Sequence, residues 1–404
     1  MSSKKPGRRR FLKGGVALAG LAAGGVLPLS GQTQGGGAAE KLSEGLVRAV
    51  GERSRFETKR RTWTGQGRVT SSLTPLQDLK GIITPSSLHF ERHHANVPDI
   101  DPRQHRLLIH GLVNRPLIFT VEDLERLPSV SRIHFLECSG NSATARRGAG
   151  TAQGTHGMTS CSEWTGVPLA LLLREAGVQP QGKWLVAEGS EAVKLTRSIP
   201  IEKAMDDIIV AYGQNGEALR PEQGYPLRLL NPGWEGNTNI KWLRQIKVVD
   251  QPYMTRDETS KYSDLMPDGK ARQFTFEMDP KSVITSPSGG QQMRGSGFYE
   301  ITGIAWSGRG AIRRVEVSTD GGATWKDAEL QQPVLRFAHT RFRMAWKWDG
   351  RETVLQSRCT DERGGFQPTL AEMLRVRGNA YNYHASFIQA WKINPDGSVL
   401  NALV

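Results

Sequence analysis

Strand-like patterns recur through residues 76–265 of the 404-residue chain. The segments RLLIHGLV (106–113) and RIHFLE (132–137) are short apolar runs of the kind that form buried strands. The segment PLRLLNPGWEGNTNIKWLRQIKVVD (226–250) predicts two further strands around a Gly-rich loop. These runs predict a core built on sheets.

Helical patterns lie between these strands. TVEDLERLP (120–128) has Thr120 as a candidate N-cap and acidic residues in its first turn, and PLALLLREAG (168–177) ends at Gly177, a typical helix stop. IIVAYGQNGEAL (208–219) predicts a hairpin with an Asn-Gly turn. The mixture predicts an α+β domain, because strict βαβ repeats are absent from the sequence.

The pattern changes in residues 270–404, where apolar and polar residues alternate and turn signals come about every ten residues. Within STDGGATW (318–325), adjacent glycines supply the positive φ angles that a tight hairpin needs. We therefore predict an immunoglobulin-like β-sandwich for this part of the chain.

The first residues differ from both domains. Arg8 and Arg9 precede an apolar, Gly/Ala-rich run (16–29) that is too short to span a bilayer comfortably. Residues 1–40 are therefore predicted to be a twin-arginine export leader, which indicates a periplasmic protein exported in its folded state. Residues 41–75 are polar and predict an N-terminal arm.

The net charge and the cysteines further restrict the range of possible functions. The formal net charge is +13, but no basic run is interleaved with aromatic residues, so a nucleic-acid partner is not expected. The chain has no CxxC or CxxCH motif, and we expect no haem on it. Any redox electrons would have to leave to another chain. The three cysteines are Cys138, Cys161 and Cys359.

Cys138 follows a strand and opens the turn ECSGNS. The thiol could be a buried apolar group, or a nucleophile with a histidine as base. A zinc site would need distant ligands, because CxxC and HExxH are absent and the adjacent His93 and His94 cannot both face one tetrahedral ion without strain. A fourth possibility is a metal whose remaining ligands come from an organic cofactor.

Two segments could hold such a cofactor. FERHHANVP (90–98) supplies a cationic and imidazole cluster. GYPLRLLNPGWEGNTNIKW (224–242) combines Arg228, a Gly-rich turn and Lys241, and backbone N–H groups beside two cations make a phosphate site. Arg228 alone could equally be a solvated surface charge.

These motifs resemble the sulfite oxidase family of molybdopterin enzymes. The resemblance runs from about residue 75 to the C-terminus and rests on FERHHANVP, LECSGNS, the 224–242 segment and VEVSTDGGATW, in family order. GNAYNYHASFIQAW (378–391) looks most like the sulfane dehydrogenase subunits of bacterial sulfur-oxidation complexes. The resemblance implies a mixed α+β molybdopterin-binding domain (76–265), followed by an immunoglobulin-like dimerisation domain (270–404).

The resemblance also implies roles for individual residues. Cys138 would be the protein ligand to molybdenum, Arg92 would face the substrate oxyanion and Tyr262 would be the active-site tyrosine. The remaining cofactor-binding positions would be Phe90, Glu91, Arg92, His93, His94, Glu191, Arg228, Asn239, Ile240 and Lys241.

Several positions depart from the pattern of sulfite-oxidising relatives, in which basic groups are more frequent. One departure is His93, where those relatives usually have asparagine. The departures at which a basic group is replaced are Ser142, Ala143, Gln223, Asn237 and Asn239. Because a free dianion would need such cations, the departures argue against plain sulfite oxidation.

The resemblance thus implies molybdenum-dependent oxidation of sulfane sulfur on a carrier protein. Electrons would pass to a c-type cytochrome, a dihaem subunit, and two copies of this chain would pair through the C-terminal domain to give a heterotetramer with the cytochrome. The alternatives are a sulfite dehydrogenase, a sulfoxide reductase and a cofactor-free scaffold for sulfur-oxidation proteins.

Overall fold

The computed structural model describes residues 54–66, 69–379 and 381–402. The leader predicted over residues 1–40 lies outside the described residues. The described part of the predicted arm includes a hairpin that joins a small sheet, made of β1 (Thr62–Gln66), β2 (Val69–Leu73) and β3 (Glu91–Arg92). Ser71 on β2 pairs with Arg92 on β3. Backbone pairing therefore fixes β3, which carries predicted site residues.

Two five-stranded sheets form the first domain. Their orders are β5-β4-β13-β8-β9 and β11-β10-β7-β6, with β12 paired to β10. Strands β4 and β13 run parallel, and the other pairs are antiparallel. The strands are β4 (Leu107–Gly111), β5 (Leu117–Phe119), β6 (Val130–Glu137), β7 (Thr159–Pro168), β8 (Trp184–Gly189), β9 (Thr196–Pro200), β10 (Ile209–Gln214), β11 (Glu217–Ala218), β12 (Arg228–Leu230) and β13 (Leu243–Val249).

The helices are short and include both predicted ones. Thr120 caps the first helix through a capping box with Asp123, and Gly177 ends another at a φ of +70°. None of the helices in the described ranges combines the length and hydrophobicity needed to cross a bilayer. The helices are α1 (Val121–Glu125), α2 (Ala152–His156), α3 (Leu169–Ala176), α4 (Ile201–Asp206), α5 (Arg256–Ser260) and α6 (Leu370–Arg377).

The C-terminal part forms two sheets, with orders β16-β17-β21-β20 and β19-β18-β22-β23-β24, and the two-stranded sheet β14-β15 precedes them in the chain. Gly321 and Gly322 in the predicted hairpin turn have φ angles of +74° and +94°. The prediction of a mixed α+β domain followed by a β-sandwich is confirmed. The strands are β14 (Ser263–Leu265), β15 (Ala271–Gln273), β16 (Lys281–Ser286), β17 (Gly297–Trp306), β18 (Ile312–Ser318), β19 (Lys326–Asp327), β20 (Glu329–Leu330), β21 (Thr340–Trp348), β22 (Thr353–Asp361), β23 (Ala390–Ile393) and β24 (Val399–Ala402).

The sandwich packs directly on the first domain. Phe135 and Cys161, on β6 and β7, are buried in the same apolar cluster as Trp306 and Trp391 of the sandwich. A hydrogen bond joins the Phe135 amide to the Phe337 carbonyl at 2.7 Å. The two domains therefore share part of their core, and the exact domain limits stay a prediction.

Glu137, the last residue of β6, connects the two domains with buried polar contacts. Its carboxylate accepts hydrogen bonds from Lys281 Nζ at 2.6 Å, Trp306 Nε1 at 2.7 Å and Asn141 Nδ2 at 2.9 Å. Both charged side chains are almost completely buried, which is tolerated because each is paired and hydrogen bonded. Lys281 and Trp306 belong to the sandwich, so this domain holds the end of β6.

Replacing Lys281 by methionine leaves the Glu137 carboxylate buried without its cation. We expect the free energy of unfolding to fall by about 3–5 kcal/mol, the usual effect of removing one partner of a buried pair. Urea unfolding followed by tryptophan fluorescence measures the change. Lys392→Met is the control, because the pair between Lys392 and Glu352 is partly exposed and should contribute about 1 kcal/mol or less. Equal losses in both variants would contradict the role of the buried pair.

Candidate functional site

Cys138 lies where β6 ends and the chain turns sharply. The Asn141 amide donates to the Cys138 carbonyl at 2.9 Å, and Ser142 has a φ of +69°. The thiol faces a cleft. Burial raises the pKa of the Cys138 thiol, and the nearby Arg92 opposes this shift. The thiol is therefore protonated at neutral pH unless a bound cation stabilises the thiolate.

The loop that contains Gly236 packs against the Cys138 turn so closely that residue 236 must be a glycine. A Cβ at Gly236 would lie 2.8 Å from the Glu137 carbonyl oxygen and 3.3 Å from the Cys138 Cα. The next residue, Asn237, donates from Nδ2 to Ser139 Oγ at 3.4 Å. The Gly-rich loop found in the sequence therefore forms one wall beside the thiol.

The cleft contains about 640 Å³ of space between atoms, part of it open to solvent. All but two of the sequence-predicted site residues line it, so the structure brings together residues that are far apart in sequence. These lining residues are Phe90, Arg92, His93, His94, Cys138, Glu191, Arg228, Asn239, Lys241 and Tyr262.

Glu91 and Ile240 are the two that do not line the cleft. Glu91 lies behind it, where it contacts His93 Nε2 at 2.9 Å and pairs with Arg61. The Ile240 side chain packs in the apolar core, and its carbonyl accepts from the Leu229 amide at 2.7 Å. Glu91 thus orients His93, while Ile240 shapes the backbone of the wall.

Arg228 is buried in the wall of the cleft. Its Nη1 donates to the Gln223 carbonyl at 2.9 Å, and its guanidinium lies 4.8 Å from the centre of the Trp164 ring. Burial lowers the pKa of Arg228 to about 9. Among the described residues, no carboxylate lies within ion-pair distance of this guanidinium. A bound anion would restore the solvation that burial removed.

Lys241 is a second cation of this kind. Its Nζ lies 2.8 Å from His93 Nδ1 and 3.0 Å from the Glu222 carbonyl oxygen. Burial and the nearby Arg228 lower the pKa of Lys241 to about 7. In the described part of the chain, Lys241 also has no carboxylate within ion-pair distance. The two cations together form a site for a small anion such as a phosphate group.

Four buried polar atoms of the lining have no hydrogen-bond partner in the described chain. They are His89 Nε2, Glu191 Oε2, Arg228 Nε and Asn237 Oδ1. Each such atom costs about 1–3 kcal/mol if nothing binds it. His89 Nδ1 lies 3.1 Å from the Phe90 carbonyl oxygen, and donation there makes Nε2 an acceptor. The cleft is therefore complementary to a ligand that carries several hydrogen-bond donors and an acceptor.

Tyr262 follows α5 and is held by two contacts. Its hydroxyl lies 2.6 Å from His94 Nε2, and the Arg197 guanidinium lies 5.0 Å from its ring centre. Burial raises the pKa of Tyr262 well above its ordinary value. Burial and the nearby Arg92 lower the pKa of His94 to about 3. The neutral imidazole and the phenol therefore share one hydrogen bond, in which His94 Nε2 can be the donor, and this contact fixes the Tyr262 hydroxyl at the cleft.

Sequence reasoning missed several lining residues. Gln223 and Asn237 were noticed as departures from a pattern, but not as site residues. Trp242 follows Lys241 and stacks on His93 with ring centres 5.9 Å apart, which its position in the sequence could have indicated. The others carried no distinguishing signal. The lining residues outside the predicted set are His89, Leu136, Leu195, Gln223, Gly236, Asn237 and Trp242.

Comparison with known proteins accounts for this arrangement. Residues 94–256 match the family model described as an oxidoreductase molybdopterin binding domain, and residues 272–390 match a Mo-co oxidoreductase dimerisation domain. The sulfane dehydrogenase SoxCD from Paracoccus pantotrophus superposes with a TM-score of 0.85 at 46% identity, covering 88% of this chain and 93% of that chain. This chain belongs to the sulfite oxidase family of molybdopterin oxidoreductases. The resemblance stated from the motifs is confirmed.

Two curated relatives are longer proteins that this chain matches over part of their length. Mitochondrial sulfite oxidase of Rattus norvegicus is 30% identical over 339 residues, which is 76% of this chain and 61% of that protein. The NADH nitrate reductase of Ulva prolifera is 34% identical over 278 residues, or 61% of this chain and 32% of that protein. This chain therefore spans about a third of the nitrate reductase and about three fifths of the sulfite oxidase.

The cleft fits the molybdenum–molybdopterin of this family. Cys138 would hold the metal, and Arg228 and Lys241 would hold the phosphate. The free atoms of His89 and Glu191 would accept hydrogen bonds from the pterin. The fit rests on this chain's own unpartnered polar atoms and buried cations, which the bound group would satisfy.

The low pKa of Lys241 should make the stability of the cofactor-free protein depend on pH. An unfolded lysine has a pKa of about 10.4, whereas the folded one has a pKa of about 7, so between these values the unfolded state binds one more proton. This term makes the free energy of unfolding rise with pH across that window and stay flat below it. Denaturation at a series of pH values should show the rise reduced in Lys241→Met. Parallel curves for the two proteins would contradict the assignment.

Arg228→Met should lower the amount of cofactor that the protein retains. Loss of a charge-assisted hydrogen bond to phosphate weakens binding by about ten- to a hundredfold. Molybdenum and pterin content of the purified protein measures the effect. Arg220→Met is the matched control, because Arg220 is partly exposed and pairs with Glu217 outside the cleft lining. Full cofactor content in Arg228→Met would exclude the phosphate role.

Proposed function

We propose that this chain oxidises a sulfane sulfur carried on a partner protein, using molybdenum–molybdopterin bound in the cleft. The observation that carries the proposal is the likeness to the sulfane dehydrogenase SoxCD, at 46% identity over nearly all of that chain. A likeness that extends over both domains supports a shared reaction better than a shared domain does.

The charges of the cleft support a substrate that is not a free dianion. Arg228 is buried and Lys241 half-buried in the wall, and both would be occupied by the cofactor's phosphate. Of the arginines and lysines among the described lining residues, this leaves Arg92 for the substrate. Neutral Asn237, one of the departures from the pattern of sulfite-oxidising relatives, also lines the cleft. A sulfur atom held by a carrier needs less charge, because the carrier contributes its own binding energy.

Each residue then has a definite task. When bound, the cofactor would supply two-electron oxidation and oxygen transfer at sulfur. Arg92 would stabilise the negative charge that develops on oxygen bound to the sulfur. Tyr262, held by His94, would donate a hydrogen bond beside the same atom. Cys138 would supply the thiolate, and the turn that Glu137 anchors would keep it in place.

The partners and the location follow from the same proposal. The two electrons released in each turnover would leave to a c-type cytochrome, a dihaem subunit bound to this chain. The match of residues 272–390 to a dimerisation domain supports a homodimer, and hence a heterotetramer with the cytochrome. The leader proposed for residues 1–40 would export the folded protein to the periplasm.

The proposal is tested with protein purified from its export compartment together with its cytochrome. We expect about one molybdenum per chain and reduction of the cytochrome by a carrier bearing sulfane sulfur. Turnover with free sulfite but not with the carrier would instead indicate a sulfite dehydrogenase. Turnover of a sulfoxide with reduced dye would indicate a reductase. Absence of molybdenum would leave a scaffold protein.

Cys138→Ser should keep the fold and lose turnover, because a neutral hydroxyl replaces the thiolate that the metal needs. Circular dichroism checks the fold, and cytochrome reduction measures turnover. We expect activity to fall by at least about a hundredfold. Cys161→Ala is the control: Cys161 is buried in the core away from the cleft and should retain activity. Full turnover in Cys138→Ser would refute the ligand role.

A further inference from the structure

Residues 382–384, after α6, return to the Cys138 turn and form a rim beside the residues that line the cleft. The His384 amide donates to the Ser139 carbonyl at 2.7 Å, and a Cβ at Gly140 would lie 3.8 Å from the Asn382 carbonyl oxygen. His384 has a φ of +56°, a conformation that residues other than glycine rarely adopt. A strained backbone of this kind persists only where its surroundings hold it.

Buried charges hold His384 in this conformation. Its Nε2 lies 3.4 Å from the carboxylate of Glu235, which Arg197 also contacts at 3.0 Å. Burial alone would raise the pKa of Glu235, but Arg197 and His384 outweigh it and hold that pKa at about 2. Glu235 therefore stays charged and keeps the rim anchored to the Gly-rich loop.

The residue before His384 is Tyr383, whose ring this anchor aims at the active-site tyrosine. The ring centres of Tyr383 and Tyr262 lie 5.3 Å apart at an interplanar angle of 45°. A tyrosine ordinarily has a pKa of about 10, so the Tyr383 phenol is neutral at physiological pH. Unlike the Tyr262 hydroxyl, the Tyr383 hydroxyl makes no hydrogen bond with any residue that the structure describes. The Tyr383 side chain is half-buried, and its ring contacts Tyr262, which lines the cleft.

We propose that Tyr383 is a specificity-determining residue, through which the C-terminal domain contacts the arm that carries the sulfur. The inference rests on the proposed function and deepens it. A neutral aromatic ring offers apolar contact to a peptide or thioalkyl arm but little to a free, strongly hydrated dianion. Its hydroxyl donates one hydrogen bond without adding a charge. Tyr383 thereby favours a sulfur on an organic arm over sulfite.

The test compares two substrates on the holoenzyme with its cytochrome: a synthetic peptide bearing a cysteine persulfide, and sulfite. In Tyr383→Ala we expect kcat/KM for the persulfide peptide to fall at least about tenfold, mainly through KM. For sulfite we expect a change below about twofold. Tyr383→Phe keeps the ring and should retain most of the preference for the peptide.

Two controls separate specificity from structure. Molybdenum content and the Mo(V) electron paramagnetic resonance signal of Tyr383→Ala should match those of the wild type, because Tyr383 is not assigned to the cofactor. Tyr381→Phe removes a buried hydroxyl two residues away and should leave the substrate ratio unchanged.

The outcomes distinguish this inference from the function on which it rests. If the wild type oxidises the peptide and Tyr383→Ala loses nothing, or loses equally on both substrates, the inference alone fails. If the wild type oxidises sulfite but not the peptide, the proposed function fails, and the role of Tyr383 fails with it.

Discussion

The buried carboxylate of Glu137 is the contact on which the site depends. It precedes Cys138, and its three donors include Lys281 and Trp306 from the sandwich and Asn141 from the turn itself. A carboxylate with one donor fewer would lie in a low-dielectric interior without adequate compensation. The position of the thiol is therefore set by the packing of two domains. The sandwich has a structural task at the active site in addition to any role in dimerisation.

Arg228 and Lys241 show how such a site is prepared before its cofactor arrives. Burying two cations near each other without an anion is costly, and their lowered pKa values express that cost. The protein tolerates it because sheets and loops hold both side chains rigidly. Binding of a phosphate group then needs little reorganisation and recovers the lost solvation. This is electrostatic preorganisation applied to cofactor binding.

Much of the fold was predictable because local signals agreed with tertiary packing. The helix ending at Gly177 is one such case, since its apolar stripe and its stop coincide. The lone cysteine, the cations and the Gly-rich loop of the site were also predictable, because each lies in a recognisable sequence motif. His89 and Tyr383 could not be found in this way. Their importance comes from burial, a free polar atom or a strained neighbour, and none of these is a property of a short sequence segment. The role of Glu137 likewise depends on Lys281 and Trp306, which lie 144 and 169 positions further along the sequence.

In the proposed function, cofactor binding and substrate contact are carried out by different parts of the chain. Its interior must match one cofactor, so the buried cations and unpartnered polar atoms come from the rigid first domain. In the proposed role of Tyr383, the rim would contact the substrate, and His384 holds this rim in place. A rim residue such as Tyr383 can change without disturbing the buried anion site behind it. Relatives that share this cofactor-binding domain are named for sulfite and for nitrate, and their difference in substrate is compatible with such a separation. If Tyr383 has the proposed role, substrate choice would depend on the rim while cofactor binding depends on the interior.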